Sequence, residues 1–425
     1  MANASGGGTI QLHEFAREFT LKIYTPGYGD WAVLGHSGNV EATFRCLATL
    51  CNPGDSILVE EWTFPSVLAT AKPMGLKPVS VKMDGQGMTA ADLERVLSTW
   101  NENLQGKRPH VMYTVPIGQN PTGAQMGAKR KLAIYDICVR YDIIIIEDDP
   151  YYFLQEGAYV PKALRPAKIQ SQSEDVDDPE GFIKSLAPSY PKFDYQGRVI
   201  RLDSFSKIIA PGSRMGWFTC NPVFAERLDR LGETTTQAPS GFSQAIIIQL
   251  VAKQWGMKKF IRWLQDLRGE YTSRRDFIID TIHELFDVLP SSGTSGESFP
   301  ESLPSMIAYI KESTISESKD SKVVMNRKTP LFTFIPPTSG MFLWIKFHVG
   351  QYTILKPGET LTEHIFINLV KEGLLIAPGT LFSVNELESG EAFGRIAFSN
   401  GSREQLLEGL KVLERVMRKY TSGII

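Results

Sequence analysis

The spacing of apolar and polar positions changes period along this chain. Five short runs rich in β-branched residues punctuate the first two-thirds: "SILVE" (Ser56–Glu60), "KPVSVK" (Lys77–Lys82), "HVMYTV" (His110–Val115), "DIIIIE" (Asp142–Glu147) and "RVIRL" (Arg198–Leu202). Each has strand length. Between them the apolar spacing becomes helical. Thr89-x-x-Asp92 predicts a capping box at the start of "AADLERVLSTW". "AKRKLAIYDICVRY" predicts a helix with Leu132, Tyr135 and Val139 on one face. Such alternation predicts an α/β fold with a mostly parallel sheet. Residues Gly256 to Asp287 predict one long helix or two stacked ones. Strand patterns return in "MFLWIKF", "GLLIAP" and "RIAF", and a last helix lines up Leu406, Leu410, Leu413 and Met417. The expected division is a large domain over residues 1–285 and a smaller α/β domain over 286–425. The serine-rich stretches "SSGTSGESFPESLPS" and "KESTISESKDSK" predict surface loops.

Composition narrows the function classes. The chain has 425 residues, 42% of them hydrophobic, enough for a large core and two domains. A net charge of −2 gives no footing for nucleic acid or an acidic membrane surface. The six histidines show no metal-ligand spacing. Cys46, Cys51, Cys138 and Cys220 form no C-x-x-C pair and are too few for a disulfide scaffold. They read as reduced core residues, so the expected location is cytoplasmic. The longest apolar runs are too short to span a bilayer. "MANASGGGTIQLHEF" lacks the charge and apolar pattern of a signal peptide.

Ligands in parallel α/β sheets gather at the carboxyl ends of strands. There "HVMYTVP" runs into "IGQNPTG", "DIIIIE" into "DDPYYF", and "RVIRLD" into "SFSK". These exits present Asn120, Asp148, Tyr151, Ser204, Ser206 and Lys207, with Arg214 a few residues on. An amine, a carboxylate, a phenol, hydroxyls and a guanidinium together suit a pyridine ring that carries an aldehyde, a phenolic oxygen and a phosphate. For pyridoxal phosphate each group has a task. Lys207 forms the Schiff base and moves the proton at Cα. Asp148 keeps the ring nitrogen protonated, which sustains the electron sink. Tyr151 and Asn120 bond the ring's O3′. Ser204, Ser206 and Arg214 bind the phosphate. Gly38, at the mouth of a helix starting near Asn39, offers backbone N–H groups to the same phosphate. Phe64 stacks on the ring face.

Each motif alone has a plainer reading. A lone lysine is usually a solvated charge, "EDDPYY" and "NPTG" are usually turns, and "SGN" is usually a helix cap. Their order and their shared strand-exit position favour the chemical reading.

The stretches "CNPGDSILVE", "GQNPTG", "IIIIEDDPYYFLQ", "GRVIRLDSFSKIIAPGSRMGW", "TSGMFLWIK" and "GRIAFS" resemble the class I/II aminotransferases of the fold type I pyridoxal-phosphate superfamily. They are most similar to the fungal aromatic amino acid and 2-aminoadipate (kynurenine) aminotransferases. The resemblance implies a homodimer that transfers the amino group of an aromatic or related L-amino acid to a 2-oxo acid such as 2-oxoglutarate. It assigns Lys207, Asp148, Asn120, Tyr151, Ser204, Ser206 and Arg214 the tasks above, and the Gly38-Asn39-Val40 turn a phosphate contact. Arg395 in "GRIAFS" enters through the resemblance alone, as the clamp on the substrate α-carboxylate, with Asn120 beside it.

The chain departs from the family pattern in several places. Asn39-Val40 stands where a Ser-Gln pair or similar is usual, and Phe64 where tyrosine is frequent. The insert "QSQSEDVDDPEGF" lengthens the path from Asp148 to Lys207. The resemblance also implies an N-terminal arm with a glycine-rich substrate loop and an interface tyrosine, which this chain is expected to lack. Three rivals remain: a lyase or decarboxylase of the same fold, a truncated non-catalytic relative, and a regulator with an aminotransferase-like sensor domain. The last is disfavoured by the length and the charge.

Overall fold

The computed structural model describes residues 7–165, 178–291, 305–311, 330–356, 358–385, 387–388 and 391–422. Most of the insert after Gln170 and nearly all of the two serine-rich stretches lie outside the described residues.

All five predicted strands of the first part stand side by side. Numbered along the chain, the strands are β1 (Ala32–His36), β2 (Ser56–Glu60), β3 (Lys77–Val81), β4 (Val111–Thr114), β5 (Ile144–Asp148), β6 (Val199–Ser204) and β7 (Gly216–Cys220). Their order in the sheet is β1-β7-β6-β5-β4-β2-β3. Strands β3, β2, β4, β5 and β6 are parallel. Strand β7 runs against both of its neighbours, β6 and β1. This is the mostly parallel mixed sheet expected of fold type I.

Both faces of the sheet are covered, which explains the unbroken apolar runs. Side chains alternate between faces. Ile57, Val59, Val111, Tyr113, Ile146, Ile200 and Leu202 join one buried cluster. Leu58, Met112, Ile145 and Val199 join another. The same parity sends sequence neighbours apart. Asp148 shares the face of Ile146, while Glu147 points to the other side.

Several local expectations are corrected. Thr89 caps its helix without the predicted box: its hydroxyl donates to the Lys82 carbonyl, and Asp92 accepts from the Lys82 N–H and pairs with Arg95. Competing partners outside the helix drew both side chains away. In the helix Ala128–Arg140, Leu132 is 45% exposed and the buried set is Lys131, Ile134, Tyr135, Ile137 and Cys138. The face is rotated because the Lys131 ammonium finds the Pro188 carbonyl at 2.9 Å and Glu147 at 3.7 Å. Asp142 does not open β5. It holds a left-handed conformation (φ 58°) just past that helix. Of "GLLIAP" only Ala377–Pro378 pairs as a strand; Gly373 and Leu374 donate to Val370 and Leu369 and close the preceding helix.

The stretch from Gly256 forms one helix, Gly256–Leu285, that leads into a second sheet. Its strands are β8 (Phe286–Pro290), β9 (Met306–Ile310), β10 (Phe332–Phe334), β11 (Phe342–Phe347), β12 (Ala377–Pro378) and β13 (Ala392–Ala397). All pairs are antiparallel, in the order β8-β9-β10-β11-β13-β12. The last helix, Arg403–Thr421, buries Leu410, Leu413 and Met417 with Leu406 at its edge. No helix among the described residues is long and apolar enough to cross a membrane.

Candidate active site

The carboxyl ends of β4, β5 and β6 share one edge, and the predicted residues meet there. Lys207 sits in the turn after β6, half-buried, with no hydrogen bond or ion pair among the described residues. Its Nζ lies 5.9 Å from the centre of the Tyr151 ring. Burial, then the positive charge of Arg395, lowers its pKa; Asp148 opposes the shift and Arg214 adds to it. An amine placed this way sheds its proton more readily and is a better nucleophile.

Asp148 ends β5 and is buried. Its Oδ1 accepts from Asn39 Nδ2 at 2.6 Å and its Oδ2 from the Tyr113 hydroxyl at 2.6 Å. Burial raises its pKa, against the two donors and the charge of Lys207. Asn39 was expected in the phosphate turn; its side chain is committed to Asp148, which leaves its backbone N–H for that turn. Its helix packs on the same face of the sheet, so the carboxylate is within reach.

The anion pole lies one turn away. Gly38 precedes the helix Asn39–Leu50 with φ 106°. A Cβ there would fall 2.0 Å from Arg214 Nη2, so only glycine leaves room for the guanidinium. Arg214 Nη1 donates to Ser206 Oγ and to the Pro211 carbonyl, both at 3.0 Å, with no carboxylate partner among the described residues. Ser204 Oγ accepts from the Ser206 N–H. One expectation fails here. The Gly38 N–H is already donated to His36 Nδ1 at 3.1 Å, which leaves the amides of Asn39 and Val40 for an anion. Burial holds His36 neutral, with its pKa down to about 3.

On the other flank, β13 carries Arg395. Its Nη1 donates to Asn120 Oδ1 at 2.7 Å. Its Nε is buried without a partner. The guanidinium is held between the rings of Phe342 (4.2 Å) and Phe382 (4.9 Å). Phe342 also meets Tyr151 edge-on at 5.5 Å. An orphaned donor on a guanidinium without a carboxylate is a socket for one. Phe64 caps the helix Pro65–Ala71, half-buried, at the exit of β2. Val40 is 45% exposed.

Two features escaped the sequence reading. Tyr113 was read only as a strand residue; the parity of β4 and β5 was the signal that puts its hydroxyl beside Asp148. The other is a buried charge network on the opposite face. Arg201 pairs there with Glu147, Asp149 and Asp203 and lies 3.8 Å from the centre of the Tyr24 ring. It braces the strands from behind.

The amine of Lys207 lies within electrostatic reach of the buried Asp148 carboxylate, the Arg214 anion cradle and the Arg395 guanidinium. They define an α/β enzyme that holds a phosphorylated aromatic aldehyde and an amino acid together. The comparisons with known proteins agree. The sequence model of the family "Aminotransferase class I and II" matches residues 8–295. The chain is 35% identical over 404 residues to an aromatic amino acid aminotransferase of Schizosaccharomyces pombe, covering 94% of this chain and 75% of that one. It is 35% identical over 399 residues to an L-tyrosine:2-oxoglutarate aminotransferase of Serpula lacrymans, covering 90% and 66%. The crystal structure of aminotransferase Aro8 from Candida albicans superposes with a TM-score of 0.80 at 33% identity, over 98% of this chain and 79% of that one. The chain belongs to the class I and II aminotransferases, and its cofactor is pyridoxal 5′-phosphate. The residues present fit that group: among the described residues Arg214 has no carboxylate partner and Lys207 no hydrogen bond or ion pair, Gly38 opens the cradle, and Asp148 is buried.

Proposed function

We propose that the protein transfers the amino group of an aromatic L-amino acid to a 2-oxo acid, with 2-oxoglutarate as the acceptor. The observation that carries this is the Arg395 guanidinium, bonded to Asn120 and without a carboxylate partner among the described residues, close enough to Lys207 for its charge to act on that amine. The substrate class rests on the relatives named above. Bound pyridoxal phosphate supplies the aldehyde that takes up the amino group and a ring that accepts the electrons of the Cα bond.

The chain's own residues do the rest. Arg395 fixes the α-carboxylate of either substrate, while Asn120 holds the guanidinium through its Nη1. Lys207 Nζ would take the proton from the substrate Cα and carry it to the carbon that bore the cofactor's aldehyde, two atoms away across the nitrogen. Asp148 holds the proton of the ring nitrogen. Tyr151 and Asn120 bond the ring oxygen, and Phe64 covers a ring face. Ser204, Ser206, Arg214 and the amides of Asn39 and Val40 hold the phosphate.

The test is glutamate formation from 2-oxoglutarate with phenylalanine, tyrosine, 2-aminoadipate or aspartate as donor. An aromatic donor is expected to give the highest kcat/KM, and Lys207→Ala is expected to abolish turnover. Aspartate as the best donor would overturn the substrate class; turnover retained by Lys207→Ala would overturn the mechanism.

A homodimer belongs to the same proposal. Phe242 (85% exposed) and Ile246 (66% exposed) stand one turn apart on the helix Gly241–Ile248. Val40 and Phe44 stand one turn apart on the helix Asn39–Leu50. Thr236 ties the two regions together through Glu41 and Arg45. This apolar surface adjoins the phosphate turn, and a second copy of the chain suits it. Four unpaired cysteines support a cytoplasmic location. The division near residue 285 assigns the cofactor cradle to the larger part and the Arg395 socket to the smaller.

A further inference from the structure

We infer that Tyr113, together with Asn39, is a positioning residue that keeps the Asp148 carboxylate ionised and aimed into the cleft. The inference rests on the proposed cofactor site. Asp148, Tyr113 and Asn39 are all buried. A carboxylate taken out of water tends to pick up a proton, unless charges or donors compensate. Here no cation bonds it directly. Each oxygen takes one hydrogen bond of 2.6 Å from a neutral donor.

Three elements converge to make this clamp. Asp148 is on β5 and Tyr113 on β4, on the same face by strand parity. Asn39 comes from the first turn of the helix above them and also donates to the Leu202 carbonyl of β6 at 3.3 Å. Donors on both oxygens fix the plane of the carboxylate. Each oxygen keeps a second lone pair. That leaves a site for a ring N–H; a proton of Asp148's own would occupy the same site and weaken the bond already made to that oxygen. Two cations act on Asp148 through their charge, Lys207 after β6 and, from the opposite face of the sheet, Arg201 on β6; both favour the ionised form. Cys46 and Tyr151 also face it; burial raises the pKa of both, so they remain neutral.

Tyr113→Phe removes one hydroxyl and leaves the ring in the core. Two cofactors discriminate the roles: pyridoxal phosphate, and its carbocyclic analogue in which CH replaces the ring nitrogen. The variant is expected to bind pyridoxal phosphate roughly tenfold more weakly than wild type, the scale of one hydrogen bond to a charged group. It is expected to bind the analogue as wild type does, because the analogue makes no bond to Asp148. The pH dependence has a definite sign. With one donor lost, Asp148 protonates more readily. The fall in cofactor affinity on acidification therefore begins at higher pH in Tyr113→Phe than in wild type. Asn39→Ala is expected to act in the same direction on pyridoxal phosphate. Equal affinities of wild type and Tyr113→Phe for pyridoxal phosphate would overturn the inference. So would an equal loss with the analogue, which would mark a merely structural role. A wild-type chain that takes up no pyridoxal phosphate would sink the cofactor site itself, and this inference with it.

Discussion

Single residues in this cleft are fixed by what surrounds them. Gly38 is the sharpest case, since any Cβ would meet the Arg214 guanidinium, and its φ of 106° disfavours side chains in any event. Gly38→Ala is expected to displace Arg214 and lower cofactor affinity by at least about tenfold, one charge-assisted hydrogen bond's worth. Cofactor titration by fluorescence checks it, and unchanged affinity would remove Gly38 from the cradle. Arg395 makes a complementary case. Arg395→Lys keeps the charge but loses the fork and its stacking between Phe342 and Phe382. Its KM for both amino and oxo acid is expected to rise roughly ten- to a hundredfold, with cofactor binding unchanged. Cofactor loss in this variant would place Arg395 at the wrong end of the site. Asn39 shows the limit of reading residues singly. Its place in the phosphate turn was legible, but a carboxylate from a strand 109 positions away claimed its side-chain amide.

At the scale of the element, strand parity sorts the charges. Along β5, Glu147 turns to the Arg201 network and Asp148 to the cleft, although they are adjacent acids. At the end of β2, burial lifts Glu60 to about 7, opposed by donors from Gln119, Thr114 and Val115. The native state therefore holds a proton that the unfolded chain, with its carboxyl near 4.5, has released across that window. Stability from this group falls as pH rises through the window, by up to about 3 kcal/mol. Glu60→Gln, a neutral isostere of the protonated acid, is expected to flatten the decline in urea midpoint between pH 5 and 8. An unchanged slope would show that Glu60 is ionised throughout.

At the scale of the molecule, the cofactor cradle and the carboxylate socket come from different sheets. Arg395 on β13 reaches Asn120 after β4, a pairing that spans 275 positions. The apolar surface around Phe242 and Val40 extends the argument to a pair of molecules. Phe242→Asp with Ile246→Asp is expected to shift the protein from dimer to monomer in sedimentation and to weaken cofactor retention, because the surface adjoins the phosphate turn. A wild-type monomer, or a variant that stays dimeric, would remove that surface from the interface.

The sequence by itself determined the five parallel strands, because strands covered on both faces carry dense runs of apolar, β-branched residues, and such runs are local. It also determined which chemical groups stand at the strand exits: Asp148 and Ser204 end their strands, and Asn120, Tyr151, Ser206 and Lys207 follow a few residues on. Local pattern could not find β1, whose partner β7 lies nearly two hundred residues away. Nor could it find the true face of the helix Ala128–Arg140, because a buried Lys131 reads as polar until its partners are known. The tertiary structure alone decided that Asn39 and Tyr113 hold Asp148, that the Gly38 amide goes to His36, and that Arg395 keeps a bare Nε. Each of these depends on which distant group arrives within hydrogen-bonding distance, and no spacing along the chain encodes that.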